Sequence, residues 1–164
     1  MACRTRDRDR ETLPCGRSFS TAASVSPSAA AGAKLTPNDP AFASVPAGGG
    51  PRHFAFHPGG RFAWANNEMT LTVTGFAFDA AGGELTPIET VSTLPSGVAV
   101  IPAYSTAETQ THPNGKFVYV SNRGHDTIAC FRVDQSTGKL TFIEGAPSIV
   151  KVPRNFGIDP TGRW

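Results

Sequence analysis

Three segments of the chain, PRHFAFHPGGRF (51–62), TAETQTHPNGKF (106–117) and PRNFGIDPTGRW (153–164), each run from a strand-like stretch into Pro-x-Gly, then a basic and an aromatic residue. Aligned on Pro58, Pro113 and Pro160, they recur at intervals of 55 and 47 residues. That interval is close to the length of one four-stranded propeller blade, roughly 40–50 residues. The alignment also stacks Arg52–His53, Ala107–Glu108 and Arg154–Asn155 at one register point. A repeat that sets basic, acidic and amide side chains at the same place in successive blades can gather them around one axis.

The rest of each unit repeats as well. Leu35, Leu85 and Leu140 open matching outer-strand segments, KLTPNDPAFASVP, ELTPIETVSTLP and KLTFIEGAPSIVKVP. Second strands are expected at FAWANN (62–67) and FVYVSN (117–122), and third strands at LTVTGFAFD (71–79) and TIACFRVD (127–134). The hairpins AAGGEL and QSTGKL supply glycine where a tight turn needs positive φ. Phe54/Phe56, Phe76/Phe78 and Val118/Val120 alternate as half-buried strands require.

The expected fold is therefore all-β: a partial β-propeller of about two and a half four-stranded blades. Closed rings usually have four to eight blades, because closure protects the strand edges. The count predicts a fragment, or a chain that assembles with something that completes the ring. Residues 1–32 differ from the rest, being Arg-rich and then Ser/Ala-rich without a period of two or 3.6. Asp7, Asp9 and Glu11 argue against a transit peptide, so 1–32 reads as a disordered or non-homologous leader and 33–164 as the propeller portion.

Composition excludes several classes. A net charge of +2 with 17% charged residues gives no electrostatic footprint for nucleic acid. No apolar run is long enough to span a membrane. Cys3, Cys15 and Cys130 are too few and scattered for a disulfide framework or a zinc site. They fit a reducing compartment, and a cytoplasmic location is expected. Cys130, in TIACFRV, reads as a small core residue. GGGP (48–51) lacks the Lys-Ser/Thr of a phosphate loop and reads as a turn.

The motifs GPRHFAFHPGGRF, NNEMTLTVTGFAFD, STAE, GKFVYVSNRGHDTIACFRVD and PRNFGIDPTGR resemble the lactonase family of seven-bladed β-propellers over Ala33–Trp164. That family is typified by propeller-type 6-phosphogluconolactonase and includes carboxy-muconate cyclase. The resemblance implies metal-independent, cofactor-free hydrolysis of a small sugar lactone to the sugar acid, as in carbohydrate metabolism. It also implies a histidine, an acid and arginines in the axial cleft. These fall on His53, Glu108 and Arg154 as catalytic residues, with Arg52, Arg123 and Asn155 binding substrate.

Each residue also has a second reading. His53 is either a general acid/base or a histidine that bonds backbone between blades. Arg52 and Arg154 suit a carboxylate or phosphate, although Arg52 could equally brace the blade interface. Glu108 is either a water-activating base or a charge partner. Arg123 and His125, in a strand-to-strand turn, first read as structural, as does Glu68 in the matching turn before. One departure stands out. Related sequences tend to read AEIHVSPDG where this chain has AETQTHPNG, so Gln110 replaces a histidine, and His112, two residues on and on the same strand face, offers at most partial compensation. The competing functions are a non-catalytic binding or scaffold propeller and an inactive gene fragment. Oligomeric state is not readable.

Overall fold

A computed structural model describes Ser18–Ser20, Ser24–Val25, Leu35–Thr36 and residues 39–163. Every regular element among them is a strand. Two antiparallel four-stranded sheets follow each other in chain order. The first is β5 (Pro51–Phe56), β6 (Phe62–Asn67), β7 (Thr72–Asp79) and β8 (Glu84–Ser92). The second is β9 (Ser105–Thr111), β10 (Phe117–Arg123), β11 (Thr127–Val133) and β12 (Leu140–Pro147). Each strand pairs with the next in sequence, so each sheet is an up-and-down blade. Before them, β1 (Ser18–Ser20) pairs with β4 (Phe42–Ser44), and β2 (Ser24–Val25) pairs with β3 (Leu35–Thr36). β1 and β2 fall inside the 1–32 segment; the rest of that expected leader lies outside the described residues.

The expected second and third strands match β6, β7, β10 and β11 to within about a residue at each end, the usual scatter in assigning boundaries. The third unit differs. Residues 153–163 form no strand, although the repeat predicts an inner strand there. An inner strand is held by its own blade's second strand, and no such partner exists among the described residues.

The two sheets pack face to face. Phe62, Trp64 and Val73 of the first meet Val118, Val120, Ala129, Phe131, Val133 and Leu140 of the second in one buried cluster. Trp64 and Phe131 are wholly buried, and truncating either to alanine costs about 3–5 kcal/mol. Trp64 also donates its indole N–H to Gly138 O at 3.2 Å. Gly138 has φ +73°, and a Cβ there would lie 2.4 Å from Phe62, so this hairpin needs glycine for conformation and for space. The opposite face of the first sheet packs Ala65 and Phe76 on Ala43 and Val45 of the preceding segment. Inner strands β5 and β9 end up side by side, which positions the site. Cys130 is a half-buried free thiol on β11 rather than a core residue, its pKa raised by burial and by nearby Glu144. No helix among the described residues is long and apolar enough to cross a membrane.

Candidate active site

Both inner strands carry the same irregularity. On β5, the register moves from Pro51 opposite Asn67 to Phe54 opposite Ala65, so Arg52 and His53 together face the single residue Asn66. On β9, Thr106 is opposite Asn122 and Thr109 opposite Val120, so Ala107 and Glu108 face Ser121. These are β-bulges, which bend a strand and re-aim its side chains. They fall on the residue pairs that the sequence repeat superimposes. In a regular strand, neighbours point to opposite faces. Here Arg52 and His53 both reach β9: Arg52 Nη1 donates to Ala107 O at 2.6 Å, and His53 meets Glu108.

His53 Nδ1 lies 3.0 Å from Glu108 Oε1 and 3.0 Å from Oε2. The Glu108 side chain is 4% exposed, against 37% for His53. Glu108 also accepts from Thr109 N at 3.1 Å, from Gln110 Nε2 at 3.2 Å and from Asn155 Nδ2. A buried carboxylate with this many donors is held in one orientation. With Glu108 on Nδ1, the tautomer carries its proton there. Nε2 has no hydrogen-bond partner among the described residues. Glu108 thus orients the imidazole and leaves its Nε2 edge open.

A second cluster adjoins the first. Glu68, in the turn after β6, meets Arg52 Nε at 3.5 Å and is hydrogen-bonded by Arg123 Nη2. Its backbone O also accepts from Thr106 N at 3.1 Å. One carboxylate against two guanidinium groups leaves this corner with an excess positive charge. Arg123 Nε is buried without a partner.

The structure thus brings together His53, Glu108, Asn155, Arg52 and Arg123. It does not bring Arg154 to the pair: Arg154 is exposed and has no hydrogen bond or ion pair among the described residues. Its neighbour Asn155 takes that place on Glu108. His112 does not substitute for the replaced histidine. Its Nδ1 accepts from Asn114 N at 3.1 Å and its Nε2 meets Gly162 O at 3.1 Å, which fixes it in its own turn. Gln110 itself donates to Glu108, so the replacement retains a donor. Glu68, first read as structural, joins this cluster through its ion pairs with both arginines. The sequence signal was its turn position, matching that of Arg123 one unit later.

Asp126 holds the connection that leads to Asn155. Its carboxylate accepts from Val152 N at 2.8 Å and meets Lys151 Nζ at 3.2 Å. The Val152 N–H, followed by Lys151, lowers its pKa. A pocket of ≈ 300 Å³ lies elsewhere, between the second sheet and residues 156–163, lined by His112, Tyr119, Ile128, Phe156 and Arg163 among others. Burial raises the Tyr119 pKa. None of the clustered polar residues lines this space, so it is a gap beside the sheet face rather than part of the site. Among the described residues, no group of three His, Cys, Asp or Glu converges as a metal site.

A family model described as Lactonase, 7-bladed beta-propeller, matches residues 27–164. The chain belongs to this family. It is 39% identical over 114 residues to a 6-phosphogluconolactonase of Bacillus subtilis, covering 70% of this chain and 32% of the relative. A 6-phosphogluconolactonase of Pectobacterium carotovorum is 38% identical, with 72% and 35% covered. Among solved structures, the periplasmic gluconolactonase of Pseudomonas aeruginosa superimposes with TM-score 0.70 at 35% identity, covering 79% of this chain and 35% of that one. A Lactobacillus plantarum protein gives 0.72 at 32% identity, with 79% and 37% covered. The chain spans about a third of the length of the curated relatives it matches. The matched region begins six residues before the sequence boundary at Ala33.

Proposed function

We propose that this site opens small lactones, as in a 6-phosphogluconolactonase, with His53 as general base and Glu108 as its orienting carboxylate. The observation that carries the reading is the His53–Glu108 contact, with Nδ1 3.0 Å from both carboxylate oxygens. Nε2 removes a proton from water as the oxygen attacks the lactone carbonyl. The C=O electrons move onto oxygen, then return as the ring C–O bond breaks. The leaving alkoxide takes the proton back from Nε2, giving the hydroxy acid. Positioned proton transfer of this kind contributes about 10²–10⁴-fold.

Arg52 and Arg123, with their excess charge over Glu68, provide the field for an anionic substrate or a developing oxyanion. Arg154, free in the structure, and Asn155 are assigned to substrate. A sugar lactone as substrate belongs to the same reading, supported by the names of the relatives. The cytoplasmic location expected from the sequence is part of the proposal without support from those names, and one matched structure is a periplasmic gluconolactonase.

The test is hydrolysis of δ-gluconolactone and 6-phosphogluconolactone, followed by acid release, for the wild type and His53→Gln. The expected result is turnover of at least one lactone and a loss on the order of 10²-fold or more in the variant. Absence of turnover, or equal rates, contradicts the proposal.

A further inference from the structure

We propose that Asn66 is a positioning residue that sets the separation of His53 and Glu108 by joining the two bulges that carry them. The proposal rests on the reading of that pair as the reacting centre. It starts from an oddity of β6: all six residues of FAWANN are buried, yet the strand ends in two asparagines. A buried amide without partners is costly, so the bonds of Asn66 identify its role.

Asn66 sits opposite the β5 bulge, where the His53 N–H has lost its place in the ladder. Asn66 Oδ1 accepts that N–H at 2.9 Å. The same oxygen accepts from Thr109 Oγ1 at 3.0 Å. Asn66 Nδ2 donates to Thr106 Oγ1 at 2.7 Å and, more distantly, to Ala107 O at 3.4 Å. Two bonds accepted and two donated is the full capacity of a side-chain amide. One partner is the backbone of His53; the other three lie within two residues of Glu108 on the neighbouring blade.

The next blade provides an internal comparison. Ser121 occupies the same place opposite the β9 bulge, and its Oγ accepts Glu108 N at 3.0 Å. A short hydroxyl is therefore sufficient to hold a bulge amide within one sheet. Asn66 does this too, but its longer amide also reaches the neighbouring sheet. That extra reach is what the account assigns to holding His53 Nδ1 on the Glu108 carboxylate.

The comparison suggests the experiment. Asn66→Ser converts the first bulge to the arrangement of the second, keeping an acceptor for His53 N–H but losing the bonds to β9. A second variant, T106V/T109V, leaves Asn66 in place and removes its two hydroxyl partners with little change of shape. The readout is the His53 Nδ1–H proton resonance of the full chain, with the near-ultraviolet signal of Trp64 reporting the fold. Hydrolysis of δ-gluconolactone is measured alongside.

The expected result is an unchanged Trp64 signal and loss of the Nδ1–H resonance through exchange. The turnover number should fall on the order of 10- to 100-fold, as for a misplaced reacting group. Persistence of the resonance at wild-type intensity in either folded variant overturns the proposal, whatever the hydrolysis result. If the resonance is lost in the variants but the wild-type protein opens no lactone, the positioning role stands and the proposed reaction fails.

Discussion

Arg52 and Arg123, one at the start of an inner strand and the other at the end of the next blade's second strand, meet on a single carboxylate, that of Glu68. The contact ties two blades together beside the His53–Glu108 pair. Both side chains are largely buried, at 20% and 18% exposed. Glu68→Gln leaves two guanidinium groups without their counter-charge, next to an Arg123 Nε that already lacks a partner. The variant should be less stable by about 1–3 kcal/mol, measured as a lower urea midpoint at unchanged slope. An unchanged midpoint would show that the arginines are held by Ala107 O and Thr106 O alone.

The blade interface makes a prediction about two glycines of similar backbone. Gly138 (φ +73°) and Gly60 (φ +69°) both disfavour a side chain. A Cβ at Gly60 meets nothing within 4 Å, while one at Gly138 runs into Phe62 at 2.4 Å. Both Gly→Ala changes bear the backbone strain, but only Gly138→Ala adds overpacking, worth typically about 1–3 kcal/mol more. Thermal or urea unfolding of the two variants checks this, and equal losses would mean the sheets part easily at Phe62.

Asp134 gives a pH dependence with a defined sign. Its carboxylate accepts from Ser136 Oγ at 2.6 Å, from Ser136 N at 2.8 Å and from Thr137 N at 3.0 Å, closing the hairpin before Gly138. These bonds, the Ser136 hydroxyl foremost, lower its pKa from 3.8 to about 2. A depressed carboxylate contributes stability that is fully present above its unfolded value and lost as pH falls through the folded one. The contribution should therefore fade between pH 3.8 and about 2. Asp134→Asn should flatten the stability curve in that window and leave its shape near neutrality unchanged. An identical acid limb in both proteins would refute the assignment.

Much of this was legible in the sequence because the repeat is a register as well as a period. Once Pro58, Pro113 and Pro160 were aligned, the pairs Arg52–His53 and Ala107–Glu108 fell together, and the structure shows why: each is the two-residue side of a bulge. The roles were harder to read. Whether Glu108 or His53 moves the proton depends on burial and on four donors drawn from three parts of the chain. Whether Arg154 or Asn155 faces Glu108 is a matter of parity, and no ladder fixes parity in residues 153–163. Glu68 looked like a turn residue because its two arginine partners are distant in sequence on either side. Asn66 carried a visible signal, one of two buried amides closing an apolar strand, but three of its four bonds go to another blade.

The central claim is that the Glu108 carboxylate holds His53 in the form that activates water. The direct measurement is the δ-gluconolactone hydrolysis rate of Glu108→Gln beside wild type, with both shown to be folded by the Trp64 signal. Glutamine preserves shape but presents either a neutral oxygen or an amide N–H to Nδ1. The account predicts a fall in turnover number on the order of 10²-fold or more. Equal rates would contradict it and remove Glu108 from the mechanism.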